Sequence, residues 1–257
     1  MREYELSHQK NIRDLGGMAT KDGRHIKYGK LFRGGALHRV NEDDKKIIDS
    51  FHLTDIIDFR NPDEYQNIPS YRPKGAKLHN LPALDQKEEN VRKVKSVDGN
   101  LLWFIGDNAT GIEHLSKVYG EFVTTMDGVC AFRKFFEIIM KDGAVSYFHC
   151  SQGKDRTGFA AYLLEIALGI SEEDALEDYL LSNKAMVGKA EKLVEQVKGK
   201  PFYNEQYKKD LFDVFSTKVE YLESAKRKMK ELYGGTIEFI EQALGVDINK
   251  LKLIFLD

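Results

Sequence analysis

The stretch SYFHCSQGKDRTGFAAYLL, Ser146 to Leu164, decides how the chain is read. Ala144 to Phe148 is short, apolar and aromatic, as a central strand should be. His149 to Arg156 is a compact polar loop, and Thr157 to Leu168 is a strongly apolar helix with Gly169 placed to end it. A strand, a loop and a helix in that order bring the N–H groups of the loop and first helical turn to the carboxyl end of a sheet, where anions bind. Cys150 opens the loop and Arg156 closes it, with five residues between them. A loop of that length can curl around one tetrahedral anion. Backbone N–H groups of Ser151, Gln152, Gly153, Lys154, Asp155 and Arg156 then face its oxygens, and the guanidinium adds a bidentate contact.

The same field acts on the thiol, because a helix N-terminus and a nearby arginine favour the nucleophilic thiolate. Thr157 is expected to donate its hydroxyl to the sulfur. Gly153 permits the tight loop, and Lys154 either adds charge to a substrate rim or faces water. His149 is read as ordering the loop rather than as a base. A cysteine and an arginine at this spacing meet by chance often enough that the spacing alone is weak. The surrounding His, Gly, Lys, Asp, Thr and Gly, in a strand–loop–helix context, make it specific. Gly153-Lys154 does not belong to a nucleotide-binding loop, since Asp155 stands where that motif needs Ser or Thr. Cys130, the other cysteine, reads as a small hydrophobe in a helix, and both thiols are expected to be free.

Working outward, Lys21-Asp22-Gly23 is a turn before an alternating segment, His25 to Arg33, which Gly34-Gly35 is expected to interrupt. Asn41 caps a helix through Ile48, with Asp44 as its reciprocal partner. Leu53 to Phe59 suits a buried strand with Asp58 and Arg60 at its carboxyl end, and Ala76 to Leu81 is a shorter one. Helices are expected over Ile112–Met126 and Cys130–Met140, from Ser171 onward with Asp174, and over Ala185–Val197, Asn204–Leu232 and Ile237–Leu244. Residues 85 to 110 are polar around Leu101, Leu102, Trp103 and Phe104, and read as a surface insertion or a lid. Strands interleaved with helices, then helices alone, give an α/β fold: one domain over residues 1–257, a central sheet flanked by helices with additional C-terminal helices.

Composition narrows the function classes. A net charge of -2 offers no basic excess for a nucleic-acid backbone. No apolar run reaches the length of a membrane span, and the polar start, Met1 to Lys10, lacks a signal-peptide core, which leads to a cytoplasmic expectation. The seven histidines show no metal-ligand spacing, so neither a metal nor another cofactor is expected.

HCSQGKDRTG resembles the active-site signature of the protein tyrosine phosphatase superfamily, and most closely the atypical tyrosine-phosphatase-like family whose loops read HCxxGKDRTG. NIRDLGG (Asn11–Gly17), LFRGGAL (Leu31–Leu37), DFRNPDEY (Asp58–Tyr65) and LEDYLLSN (Leu176–Asn183) are similar to family segments in family order. The resemblance implies a cysteine-dependent phosphomonoester hydrolase with a cysteinyl-phosphate intermediate on Cys150, Arg156 holding the phosphoryl oxygens and inorganic phosphate as product. It assigns the general acid to Asp155. Electrostatics favours the charged carboxylate beside Arg156, so Asp85, following Pro82 on a loop, is the rival. Arg60 is expected to bind substrate phosphate, to orient Asp155, or to pair with Asp58 or Glu64. Arg13, Asp14 and Arg33 carry the same ambiguity. The expected substrate is a phosphotyrosine protein, with broader or phosphoinositide specificity as an alternative. A phosphate-binding module without turnover and a rhodanese-like sulfur transferase are the rival classes.

Overall fold

The computed structural model describes residues 2–9, 11–84 and 110–257. Their strands form one six-stranded sheet in the order β1-β2-β3-β6-β4-β5, with β1 Arg2–Tyr4, β2 Ile12–Asp14, β3 Leu31–Gly35, β4 Asp55–Asp58, β5 Lys77–Asn80 and β6 Ser146–Cys150. The first two strands run antiparallel, whereas β3, β6, β4 and β5 are mutually parallel. Cys150 therefore ends the central strand, beside Gly35 of β3, and its neighbour His149 stands beside Asp58 of β4.

Both faces of this sheet are covered, which explains why β6 is buried throughout. Alternation sends Phe148 into the larger core and Tyr147 into the smaller one. The larger core packs against α3 (Gly111–Thr124), α4 (Met126–Ile139), α5 (Asp155–Leu168) and the C-terminal helices. The smaller is closed by α1 (Glu42–Asp49) through Ile48. The helix following the loop, α5, is buried on nearly every side, and Gly169 ends it as the sequence predicts. Asn41 and Asp44 form the expected capping box at the start of α1. Ser171 likewise caps α6 (Glu172–Leu181) by accepting from the Asp174 N–H.

Several expectations are corrected. The alternating segment from His25 supplies only isolated bridges before β3, and Gly34 and Gly35 lie inside that strand instead of breaking it. A Cβ on Gly34 would overlap the Tyr147 hydroxyl, so this strand is glycine where its neighbours press closest. The helix expected from Ala185 starts only at Lys189 (α7, Lys189–Val197), after a 3₁₀ turn over Ser182–Met186. The single helix expected over Asn204–Leu232 is two, α8 (Glu205–Phe215) and α9 (Val219–Tyr233). Ile237–Leu244 is one short turn, α10 (Thr236–Glu238), running into a π turn over Phe239–Ala243, and a further helix, α11 (Ile248–Phe255), follows. Among the described residues, no helix is long and apolar enough to cross a membrane.

Candidate active site

The carboxyl end of β6, the loop Ser151–Lys154 and the first turn of α5 make a concave run of backbone. Among the described residues, no protein group accepts from the N–H groups of Ser151 through Thr157. A helix start leaves its first N–H groups unsatisfied, and here the preceding loop extends that set. Gly153 adopts φ +70° where a Cβ would overlap the Gly34 carbonyl, so the loop lies directly on β3. Cys150, at the entrance, is buried, and both it and the half-buried Cys130 on α4 are free thiols.

Arg156 is held by Glu64, which the sequence offers as a partner of Arg60 instead. Its Nη1 donates to Glu64 Oε2 at 2.7 Å and its Nη2 to Glu64 Oε1 at 3.1 Å, a fork-to-fork pair from the start of α2 (Pro62–Asn67). Ser151 Oγ donates to the same carboxylate at 2.6 Å, and the Asn61 N–H adds a bond of 3.1 Å. Burial acts to raise the Glu64 pKa, but the Arg156 charge and these donors outweigh it and push it down to about 2. Burial likewise opposes the charge on Arg156, and Glu64 more than reverses that, leaving the guanidinium firmly protonated.

Asp155 is the first residue of α5. Its Oδ1 accepts from Lys154 Nζ at 2.8 Å and from the Tyr119 hydroxyl at 3.2 Å, and Tyr119 in turn contacts the Tyr179 hydroxyl at 2.8 Å. No described residue donates to its Oδ2, and the side chain keeps 25% exposure. Lys154 neither lines a rim nor faces water. It is 4% exposed, and its ammonium also donates to the Val214 and Ser216 carbonyls at 2.8 and 3.0 Å, tying the loop to the junction between α8 and α9.

Two further expectations change, those for Arg60 and Thr157. Arg60 is consumed by Asp58, donating from Nε at 3.0 and 3.1 Å and from Nη2 at 2.7 Å, while Nη1 binds the Ile68 carbonyl at 2.8 Å. Of its two expected carboxylate partners, Asp58 and Glu64, it pairs with Asp58. Thr157 Oγ1 is buried without a hydrogen-bond partner, so it makes no bond to the sulfur. Asp85, and all but the last residue of the 85–110 segment, lie outside the described residues. His149 Nδ1 donates to the Cys150 carbonyl at 3.1 Å, and its Nε2 stands 3.8 Å from Asp58. Burial lowers its pKa more than Asp58 raises it, which keeps the ring neutral at pH 7.

The other arginines lie behind the loop. Arg13 Nε and Arg33 Nη1 both bind the buried carboxylate of Asp178, on α6. Burial would raise the Asp178 pKa, but the two guanidinium charges dominate and keep it ionised. Asp14 stays out of this cluster and accepts from the Gly16 and Gly29 N–H groups, fixing a turn.

A buried cysteine ends a central parallel strand, N–H groups with no described acceptor follow it, and an arginine stands at the next helix start, a cradle of the shape that fits a tetrahedral anion on an α/β sheet. The chain belongs to the tyrosine phosphatase family, whose model matches residues 4–256. It is 27% identical over 246 residues to a Cupriavidus necator protein provisionally named a tyrosine-protein phosphatase, covering 94% of this chain and 84% of that one. It is 25% identical over 279 residues to the triple specificity protein phosphatase PtpB of Mycobacterium tuberculosis, covering 98% of each. Its likeness to the solved structure of P. aeruginosa TpbA is slight, at 13% identity and a TM-score of 0.31 over 90% of this chain and 89% of that one.

Proposed function

We propose that the chain is a cysteine-dependent phosphomonoester hydrolase acting on phosphotyrosine proteins, with its catalytic machinery in one domain. The observation that carries this reading is the run of N–H groups from Ser151 to Thr157, unsatisfied by any described residue, that follows a buried cysteine and includes a charged arginine. In the first step the Cys150 thiolate attacks phosphorus in line, the bond to the ester oxygen breaks, and Asp155 protonates the departing oxygen. In the second, water attacks the cysteinyl-phosphate, Asp155 takes its proton, and the sulfur–phosphorus bond breaks to release inorganic phosphate and the thiolate. The transferred group carries its charge on its non-bridging oxygens, so loop N–H groups and Arg156 supply most of the stabilisation. The free Oδ2 of Asp155 favours that residue for the proton, since Oδ1 is occupied by Lys154 and Tyr119.

The family membership and the printed name of the Mycobacterium tuberculosis relative both support protein phosphate as substrate. Lys154 points into the protein toward Val214 and Ser216, so its charge is not offered to a phosphoinositide head group. Turnover of a phosphotyrosine peptide and of a phosphoinositide by the wild-type chain and Cys150→Ser tests the reading. Peptide turnover that vanishes in Cys150→Ser is expected; peptide turnover that persists in it contradicts the covalent route.

A further inference from the structure

We infer that Asn11 is a positioning residue of the anion loop, fixing the two peptide planes whose N–H groups belong to Gly153 and Lys154. The inference rests on the phosphatase reading above and goes beyond it. Asn11 is 3% exposed and its Nδ2 donates to two consecutive loop carbonyls, that of Gln152 at 3.0 Å and that of Gly153 at 3.1 Å. Its Oδ1 accepts from Arg13 Nη1 at 2.6 Å, and Arg13 is anchored on Asp178, so the amide is held from behind and cannot turn over. Arg33, bound to the same Asp178, donates a second bond to the Gly153 carbonyl at 3.2 Å.

A trans peptide unit is planar, with its C=O and N–H on opposite sides. There are no cis peptide bonds among the described residues. The carbonyl of Gln152 shares its plane with the N–H of Gly153, and the carbonyl of Gly153 shares its plane with the N–H of Lys154. Drawing both oxygens toward Asn11 therefore turns both N–H groups away from it, to the side where no described group accepts them. Left-handed Gly153 followed by right-handed Lys154 is the backbone pairing that makes a concave anion nest. Without Asn11 the Gln152–Gly153 plane loses its anchor and the Gly153–Lys154 plane is left with Arg33 alone, so donors that must be preset before reaction have to be reordered during it.

The test compares Asn11→Ala and the isosteric Asn11→Asp with the wild-type chain. The measurements are kcat/KM for an aryl and an alkyl phosphate, competitive inhibition by inorganic phosphate, and the melting temperature. Both variants are expected to lose roughly tenfold to hundredfold in kcat/KM, less than the roughly 10²–10³ lost when an oxyanion donor is removed outright, because these donors are loosened and not deleted. The loss should be equal for the two substrates and be matched by weaker inhibition by phosphate, because the loop N–H groups hold non-bridging oxygens whatever the leaving group. An active wild type with unaltered kcat/KM and phosphate inhibition in a folded Asn11 variant overturns this inference alone. A wild type without Cys150-dependent turnover overturns the phosphatase reading and this inference with it. Where the variants fold poorly, titration of the wild-type protein with inorganic phosphate, followed by amide NMR, decides the matter. The Gly153 and Lys154 amides must then shift; if they stay fixed while phosphate still binds at Arg156, the inference fails.

Discussion

Replacing Glu64 by Gln removes the charge that faces Arg156 while keeping the shape of the side chain. The carboxylate is largely enclosed, at 24% exposure, and takes bonds from both Arg156 nitrogens, Ser151 and Asn61. Its pKa is pushed from the ordinary 4.5 to about 2. Each tenfold change in proton affinity is worth about 1.4 kcal/mol, so the ionised form contributes about 3 kcal/mol to the folded state. The neutral amide mimics the protonated acid, so Glu64→Gln should cost about 3 kcal/mol at pH 7, comparable to removing one partner of a buried pair. Because the folded pKa lies below the unfolded one, this stability is complete above about pH 4.5 and is lost as pH falls toward 2. The difference between the two proteins should therefore shrink to about half near pH 3. Urea unfolding at both pH values, in buffers free of phosphate and sulfate, measures it. A loss below about 0.5 kcal/mol at pH 7, or one that does not change with pH, would refute the assignment of Arg156 to Glu64. Added inorganic phosphate should restore much of the loss, since an anion in the loop replaces the missing charge.

Other consequences follow from the neighbouring groups. Asp155→Asn should slow an alkyl phosphate by roughly 10² to 10⁴ and an activated nitrophenyl phosphate by less than about tenfold, because only the former needs its leaving oxygen protonated. Equal effects on both would remove Asp155 from the acid role. Burial lowers the His149 pKa, so its NMR resonances should titrate with a midpoint below that of the unfolded imidazole, which charges near pH 6.5. The associated stability is present above about pH 6.5 and declines below it, and a midpoint at or above that value would contradict the buried neutral ring. Lys154→Met should strand the Val214 and Ser216 carbonyls, cost about 1–3 kcal/mol, and speed amide exchange around 213–218. If exchange there stays unchanged, the lysine is not what ties this junction.

The contiguous part of the site was legible from the sequence because its chemistry is local. Cys150, Gly153, Asp155 and Arg156 sit within one strand–loop–helix crossing, and periodicity alone places that crossing at the end of a buried strand. The cap of α1 was equally readable, since Asn41 and Asp44 are three residues apart. The partners of Glu64 and Asn11 were not readable, because they lie far along the chain and only the sheet order brings them together. The available signal was Asn61 three residues before Glu64, which announces a helix start without saying what the carboxylate faces. Lys154 was misjudged for a similar reason: a lysine after a glycine in a polar loop reads as solvated until α8 and α9 supply carbonyls for it. The break between those helices was invisible too, as Ser216-Thr217-Lys218 holds neither Gly nor Pro. Asn183 binds both the N–H and the carbonyl of Thr217, and Lys154 takes the carbonyl of Ser216, so tertiary hydrogen bonds replace the helical ones.

The central claim is a phosphoryl group carried on Cys150. Rapid acid quenching of the wild-type chain during turnover of an aryl phosphate, followed by peptide mass spectrometry, tests it most directly. One added phosphoryl group is expected on the peptide containing Cys150, absent when Cys150→Ser is treated identically. Sustained turnover with no phosphoryl group on that peptide, and with Cys150→Ser as active as the wild type, would contradict it.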